Sequence, residues 1–287
     1  MMPAATLLQA WLDPRLDAPA ARWLGESLDR VASGGGDRAL YTAVSLAARK
    51  LGKAALAPDA AELAAATAAR PGWDPRAWTV DQAARVLLLL AAGHAGDAFV
   101  QRFDQLCATA DVDELVAFYR GLPLYPDPPR HRMRAAEGLR SNMRLVFEAV
   151  AHHNPYPAEQ LADEAWNQMV LKALFVGSAL DPIVGLDRRA NPALARMLCD
   201  YAHERWAARR PVSAELWRCV GPFAAGSVLA DFERVLAQGS RPEQAAAVLA
   251  LRSAADPAAR ALLARAPALR DEVTARGVGW STLTTFH

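Results

Sequence analysis

The segment TVDQAARVLLLLAAG, residues 79–93, predicts a central α-helix. Thr79 is followed three residues later by Gln82, which is the spacing of a capping box at the start of a helix. The residues after Gln82 are apolar on most sides of the predicted helix, and a helix of this kind is normally surrounded by others. We therefore expect this segment to lie at the centre of a helical core.

Helical patterns continue in both directions from this segment. The predicted helices cover residues 21–33, 38–55, 58–70, 97–109, 111–119, 131–152, 158–176, 191–209, 227–237, 242–254, 257–264 and 268–275. The prolines of GLPLYPDPP, residues 121–129, exclude a regular helix there. No stretch alternates polar and apolar residues as a half-buried strand does. The chain is predicted to be all-α, and an α-solenoid or HEAT-like stack is favoured over an irregular helical bundle.

The composition describes an ordinary folded chain of 287 residues with a net charge of +1. Near-zero charge argues against nucleic acid as a partner. The longest apolar runs, residues 86–92 and 245–251, are far shorter than the roughly 20 residues of a transmembrane helix. Three widely spaced cysteines and the lack of a signal-peptide pattern predict a cytoplasmic protein. We expect a helical domain over residues 1–223 and a dependent short-helix extension over residues 224–287.

Polar residues are concentrated between His152 and Trp217, where alanine is less frequent than at either end of the chain. Side chains three or four positions apart share one face of a helix. Three predicted helices could therefore direct acids, amides and imidazoles toward one interior site, and these residues are Glu148, His152, Glu164, Asn167, Asp200, His203 and Glu204.

Three interpretations of this site stay open. It is a buried hydrogen-bonded network, a pocket for an organic ligand or a substrate, or a metal site at Asp200, His203, Glu164 and Glu148. Carboxylate-bridged metal sites use the carboxylate-x-x-histidine motif twice and the chain offers it once, so neither a metal nor another cofactor is favoured. For catalysis the candidates are His203 as acid or base, with Asp200 and Glu164. The candidate pocket residues are His152, His153, Asn154, Tyr156, Asn167, Lys172, Asp187, Arg188, Asn191 and Glu204.

Longer motifs in the same region resemble a known family. They are RAAEGLRSNMRLVFEAVAHHNPYPAEQL at 134–161, AWNQMVLKALFVGSAL at 165–180 and GLDRRANPALARMLCDYAHERWAARRPV at 185–212. These stretches closely resemble EboA-domain proteins, and the likeness covers residues 41–223. The resemblance implies a helical fold without an assigned reaction or assigned catalytic residues.

Genes of this family typically lie beside those for a UbiA-type prenyltransferase, a TatD-like hydrolase and a sugar-phosphate cyclase. The resemblance therefore implies an accessory role, as scaffold or ligand carrier, in making or moving a small secondary metabolite, with a prenylated molecule as one option. Its partners would be the other proteins of that cluster, including the membrane prenyltransferase. The alternatives are a helical enzyme with an acid/base or metal site at Asp200, His203 and Glu164, and a pure protein–protein interaction module.

Overall fold

The computed structural model describes residues 3–93 and 96–286, and it confirms the predicted all-α class. Seventeen α-helices and five short 3-10 helices lie in these two ranges, which contain no β-strand. An isolated antiparallel bridge joins Ala55 and Thr79. The chain divides into two compact units, Met1–Ala162 and Asp163–His287. The predicted solenoid-like stack and the predicted boundary at residue 223 stay predictions.

Ten α-helices belong to the first unit. They are α1 (Ala4–Leu12), α2 (Ala18–Ala32), α3 (Gly36–Leu51), α4 (Ala60–Ala69), α5 (Val80–Ala91), α6 (Asp97–Thr109), α7 (Val112–Arg120), α8 (Arg132–Arg140), α9 (Arg144–Ala151) and α10 (Tyr156–Gln160). Helix α5 is the predicted central helix, and it packs against α1, α2, α3 and α7. Its residues 83–89 are all buried, as expected for a helix enclosed by its neighbours.

Helix α5 also buries two opposite charges that its apolar pattern does not lead one to expect. Asp81 and Arg85 form an ion pair across one helical turn, and each side chain is 2% exposed. Arg85 Nε donates to the backbone oxygen of Val44 on α3 at 3.2 Å, and Thr79 Oγ1 donates to Asp81 Oδ1 at 2.6 Å. Both charged side chains of α5 are therefore paired, and Arg85 joins α5 to α3.

The single helix predicted over residues 131–152 is wrong, because the chain forms two helices there, α8 and α9. Ser141 and Met143 have extended backbone angles. The Ser141 hydroxyl oxygen accepts a hydrogen bond from the Met143 backbone N–H at 3.1 Å. Serine offers the backbone this local alternative to helical hydrogen bonds, and the helix ends where it does so.

Seven α-helices belong to the second unit. They are α11 (Asp163–Phe175), α12 (Pro192–Ala207), α13 (Leu216–Val220), α14 (Val228–Gln238), α15 (Arg241–Arg252), α16 (Pro257–Ala264) and α17 (Pro267–Ala275). Helix α15 packs against α13, α14, α16 and α17. Its buried alanines permit close approach: a Cβ atom at Gly221 would lie 2.5 Å from the oxygen of Ala250. Small side chains thus set the spacing in this core.

Buried titratable side chains occur in both units. The thiols of Cys107, Cys199 and Cys219 are unpaired and buried, and burial raises the pKa of each to about 12. His131 packs against Phe99 and other rings of the first unit, and its Nε2 lies 2.8 Å from the Pro126 oxygen. That carbonyl can only accept, so Nε2 donates. Burial lowers the pKa of His131 because it disfavours the imidazolium ion.

Replacing Asp81 with alanine should lower the free energy of unfolding by about 3–5 kcal/mol, because Arg85 stays buried without its carboxylate. The double variant Asp81→Leu with Arg85→Met should lose less than Asp81→Ala alone, since it removes both charges. Urea unfolding followed by circular dichroism measures both values. A loss below about 1 kcal/mol for Asp81→Ala would show that water reaches the Arg85 guanidinium.

Stability should fall as the pH drops from about 7 to 5, partly through His131. The unfolded imidazole takes up a proton near pH 6.5, whereas the folded one resists it until a lower pH, so protonation favours the unfolded chain. The variant His131→Phe should show a smaller difference in unfolding free energy between pH 7 and pH 5. An unchanged difference would mean that other groups account for all of the pH dependence.

Candidate functional site

A cavity of about 180 Å³ in the first unit is lined by several of the residues that the sequence analysis predicted for the site. Four of its lining residues were predicted from sequence: Glu148, His152, His153 and Asn154. The other lining residues come from a distant part of the chain or from α7, and they are Asp74, Ala77, Trp78 and Arg120. The cavity thus combines two imidazoles, two carboxylates and one guanidinium.

The two histidines are held by a turn that Asn154 organises. Asn154 is buried, and its Nδ2 donates to the backbone oxygens of Tyr119 at 3.0 Å and Ala149 at 3.2 Å. Its Oδ1 accepts from the Tyr156 N–H at 3.0 Å. His153 has a φ of +53°, in the left-handed region that non-glycine residues avoid. Three buried hydrogen bonds offset the cost of that strained conformation.

The acidic side chains of the cavity already have cationic partners. Asp74 Oδ2 forms an ion pair with Arg76 Nε at 2.6 Å and lies 3.1 Å from His153 Nδ1. Glu148 accepts from Arg144 Nε at 2.7 Å, one helical turn away on α9. His153 is 33% exposed, so its ring is reached by solvent from the cavity. These contacts orient the carboxylates and balance their charge.

Arg120 differs from the carboxylates because its described hydrogen bonds go to neutral groups. Its Nη1 donates to the oxygen of Ala77 at 2.6 Å and to Gln82 Oε1 at 2.5 Å. Burial lowers the pKa of this guanidinium, and the charge of Glu148 opposes that effect. Arg120 therefore brings a partly desolvated positive charge into the cavity, held in place by α5 and the residues before it.

The volume and lining limit what the cavity can accept. An apolar cavity of about 150 Å³ holds one benzene molecule, so 180 Å³ admits a ligand portion of about one ring. The wall offers hydrogen-bond donors and acceptors on several sides. A small polar molecule fits this environment better than a hydrocarbon, because a hydrocarbon would remove water from the polar lining groups without offering them hydrogen bonds.

The sequence over residues 4–221 matches the family model of metabolite traffic protein EboA. The chain belongs to the EboA family. No curated protein and no solved structure matches it. The description of the family fits an accessory role associated with a metabolite, and a small-molecule ligand is consistent with it. None of the helices in the described part of this EboA-family chain combines the length and apolar character needed to cross a membrane.

Several other predicted pocket residues of this EboA-family chain make local hydrogen bonds. In the second unit, Asn167 and Asn191 join their amides through two hydrogen bonds of 2.8 and 3.3 Å, and Asn191 also caps α12. Asp187 accepts a bidentate pair of hydrogen bonds from Arg218, from Nε to Oδ1 at 2.7 Å and from Nη2 to Oδ2 at 2.8 Å. In the first unit, the Tyr156 hydroxyl donates to the oxygen of Pro128 at 2.6 Å. Such contacts tie helices and loops together.

The predicted catalytic group has a different partner from the one expected. His203 Nε2 lies 2.7 Å from Asp231 Oδ1 on α14, and the imidazole is 53% exposed. Within the described ranges, no group of three or more His, Cys, Asp or Glu side chains is arranged to hold a metal ion. The remaining predicted residues of the second unit are exposed or partly exposed, and these are Glu164, Lys172, Arg188, Asp200 and Glu204. Burial lowers the pKa of Lys172.

Sequence reasoning missed the partners that the fold brings from far along the chain. Asp74 and Arg120 meet the histidine turn although they precede it by 79 and 33 residues, counted from His153. Asp231 lies in the short-helix extension over residues 224–287, where no site residue was predicted. The available local signal was Arg120, a charged residue that directly follows the apolar run VAFY at 116–119.

The strain at His153 gives a stability test that separates backbone from side-chain effects. His153→Gly should leave the free energy of unfolding equal or higher, because glycine adopts a φ of +53° without a Cβ clash. His153→Val should lower it by about 2 kcal/mol, since a β-branched residue is strongly disfavoured there. Thermal and urea unfolding measure both. Equal losses in the two variants would contradict a strained turn.

Proposed function

We propose that this EboA-family protein is an accessory carrier that binds a small, anionic metabolite in the cavity of its first unit. The observation that carries the proposal is the position of Arg120. Its guanidinium lines the cavity, is partly desolvated and has hydrogen bonds to neutral groups. An anionic ligand would complete the pairing of this charge.

The charges around the cavity support an anion over a cation. Asp74 forms an ion pair with Arg76 and lies close to His153, and Glu148 forms an ion pair with Arg144. A cationic ligand would have to compete with those partners. A carboxylate or similar group would instead meet Arg120 at a place where charge-assisted hydrogen bonds are strongest, because solvent is partly excluded.

The volume of the cavity limits how much of the metabolite can bind inside it. A space of about 180 Å³ takes one ring or its equivalent, so a prenyl chain on the same metabolite would lie outside the cavity. His152 and His153 are partly exposed, which permits exchange with solvent. Reversible binding of a polar head group suits a protein that passes a metabolite to the enzymes and the transporter of a secondary-metabolite cluster, and we propose those proteins as its partners.

A pair of ring-sized probes tests the proposal. Benzoate should bind more tightly than benzyl alcohol, which has the same ring without the charge. The variant Arg120→Gln should weaken benzoate binding about tenfold or more, because a hydrogen bond between two charged groups is lost. Isothermal titration calorimetry measures the dissociation constants. Arg49→Gln is the matched control, since Arg49 is exposed on α3 and does not line the cavity.

Two outcomes would contradict the proposal. Equal affinity for benzoate and benzyl alcohol would show that charge has no part in recognition. Equal weakening by Arg120→Gln and Arg49→Gln would show that benzoate responds to the overall charge of the protein. The folding of each variant is checked by its circular dichroism spectrum and its unfolding midpoint.

A further inference from the structure

A separate cleft of about 190 Å³ lies in the second unit. It is lined by parts of α12, the turn after it, α14 and the start of α15: Trp206, Arg210, Pro211, Val212, Arg234, Val235, Gln238, Gly239 and Glu243. Some of these residues lie within the stretch that matches the family, and the others follow residue 221. The cleft thus depends on the part of the chain beyond the matched region.

Stacking sets the orientation of the first arginine in the cleft. The Arg234 guanidinium carbon lies 4.3 Å from the ring centroid of Trp206. Trp206 is itself stacked on Trp217, with centroids 5.9 Å apart and ring planes at 24°, and Trp217 is fully buried. A guanidinium that lies on an aromatic ring keeps the N–H donors along its edge available. Arg234 is exposed, and its stacking on Trp206 positions the guanidinium donors at the cleft.

A strained turn positions the second arginine. The backbone N–H of Arg210 donates to the oxygen of Arg205 at 2.8 Å, and that of Arg209 donates to Trp206 at 3.0 Å. This is the pattern that ends a helix, and its left-handed position normally holds glycine. Here Arg209 occupies it with a φ of +54°. The turn leads directly into Arg210 and Pro211 at the edge of the cleft.

The charges in the cleft are unbalanced. Its one lining carboxylate, Glu243, accepts hydrogen bonds from the Ser240 N–H at 2.8 Å and from Ser240 Oγ at 2.6 Å, as the start of α15 requires. Within residues 3–93 and 96–286, neither Arg210 nor Arg234 forms an ion pair with a carboxylate. Two arginines therefore face one small cleft without a free counter-charge.

We propose that this cleft binds the carboxylate or phosphate group of a small molecule between Arg210 and Arg234. Guanidinium groups bind planar carboxylates and phosphates through paired hydrogen bonds. Val212, Val235 and Pro211 give the non-ionic part of the ligand an apolar wall. The site lies in a different unit from the Arg120 cavity, and its existence does not depend on the proposed carrier function.

The test follows the indole N–H resonance of Trp206 in the ¹⁵N-labelled full-length protein, assigned with the variant Trp206→Phe. Inorganic phosphate and benzoate are titrated separately, so the two anion types are distinguished. We expect at least one to shift this resonance in a saturable manner. Arg210→Gln and Arg234→Gln should each weaken that binding about tenfold or more. Arg49→Gln should leave it unchanged, because Arg49 is exposed on α3 and does not line the cleft.

Arg209→Asn is the matched control. It removes one neighbouring positive charge, and asparagine tolerates the left-handed conformation of this position. Unchanged binding in this variant supports the site, because Arg209 does not line the cleft. Equal weakening in Arg209→Asn and Arg210→Gln would overturn it, as would a Trp206 resonance that neither anion moves at about 10 mM, where a millimolar complex would be largely formed.

Discussion

A helix that is enclosed by its neighbours must satisfy every polar group it carries, and α5 shows how this is done. Asp81 and Arg85 neutralise each other inside the core, and Arg85 reaches the backbone of α3. The same helix contributes Gln82, which accepts a hydrogen bond from Arg120 at the end of α7. The arrangement of the first unit and the wall of its cavity therefore depend on one buried, charge-balanced helix.

Features set by neighbouring residues could be predicted from the sequence. The capping box of Thr79 and Gln82 was predicted, and Gln82 Oε1 accepts from the Thr79 N–H at 3.3 Å, because a cap needs a partner only three residues away. The all-α class followed from helical periodicity and abundant alanine. The break after α8 was missed because it involves a side-chain hydrogen bond of Ser141, and periodicity does not register that contact.

In the candidate sites too, residues that are adjacent in sequence could be predicted, and partners from distant parts of the chain could not. The histidine turn of the first unit was recognised, since its unusual residues are adjacent in sequence. Its partners Asp74 and Arg120 were not, because the fold brings them together from far apart and no local pattern marks them. The expected pairing of Asp200 with His203 used helical spacing, whereas the structure pairs His203 with Asp231 on another helix. Spacing predicts which side chains share a face, and packing decides which face meets a partner.

The three cysteines of the folded protein are buried, and burial raises the pKa of each thiol to about 12. Buried, protonated thiols react slowly with oxidants and with alkylating reagents. Cysteine content therefore does not discriminate between cellular compartments for this chain. The native cysteines would also react little with a thiol-specific label. A single cysteine introduced on the surface could therefore be labelled selectively, without replacement of the native cysteines.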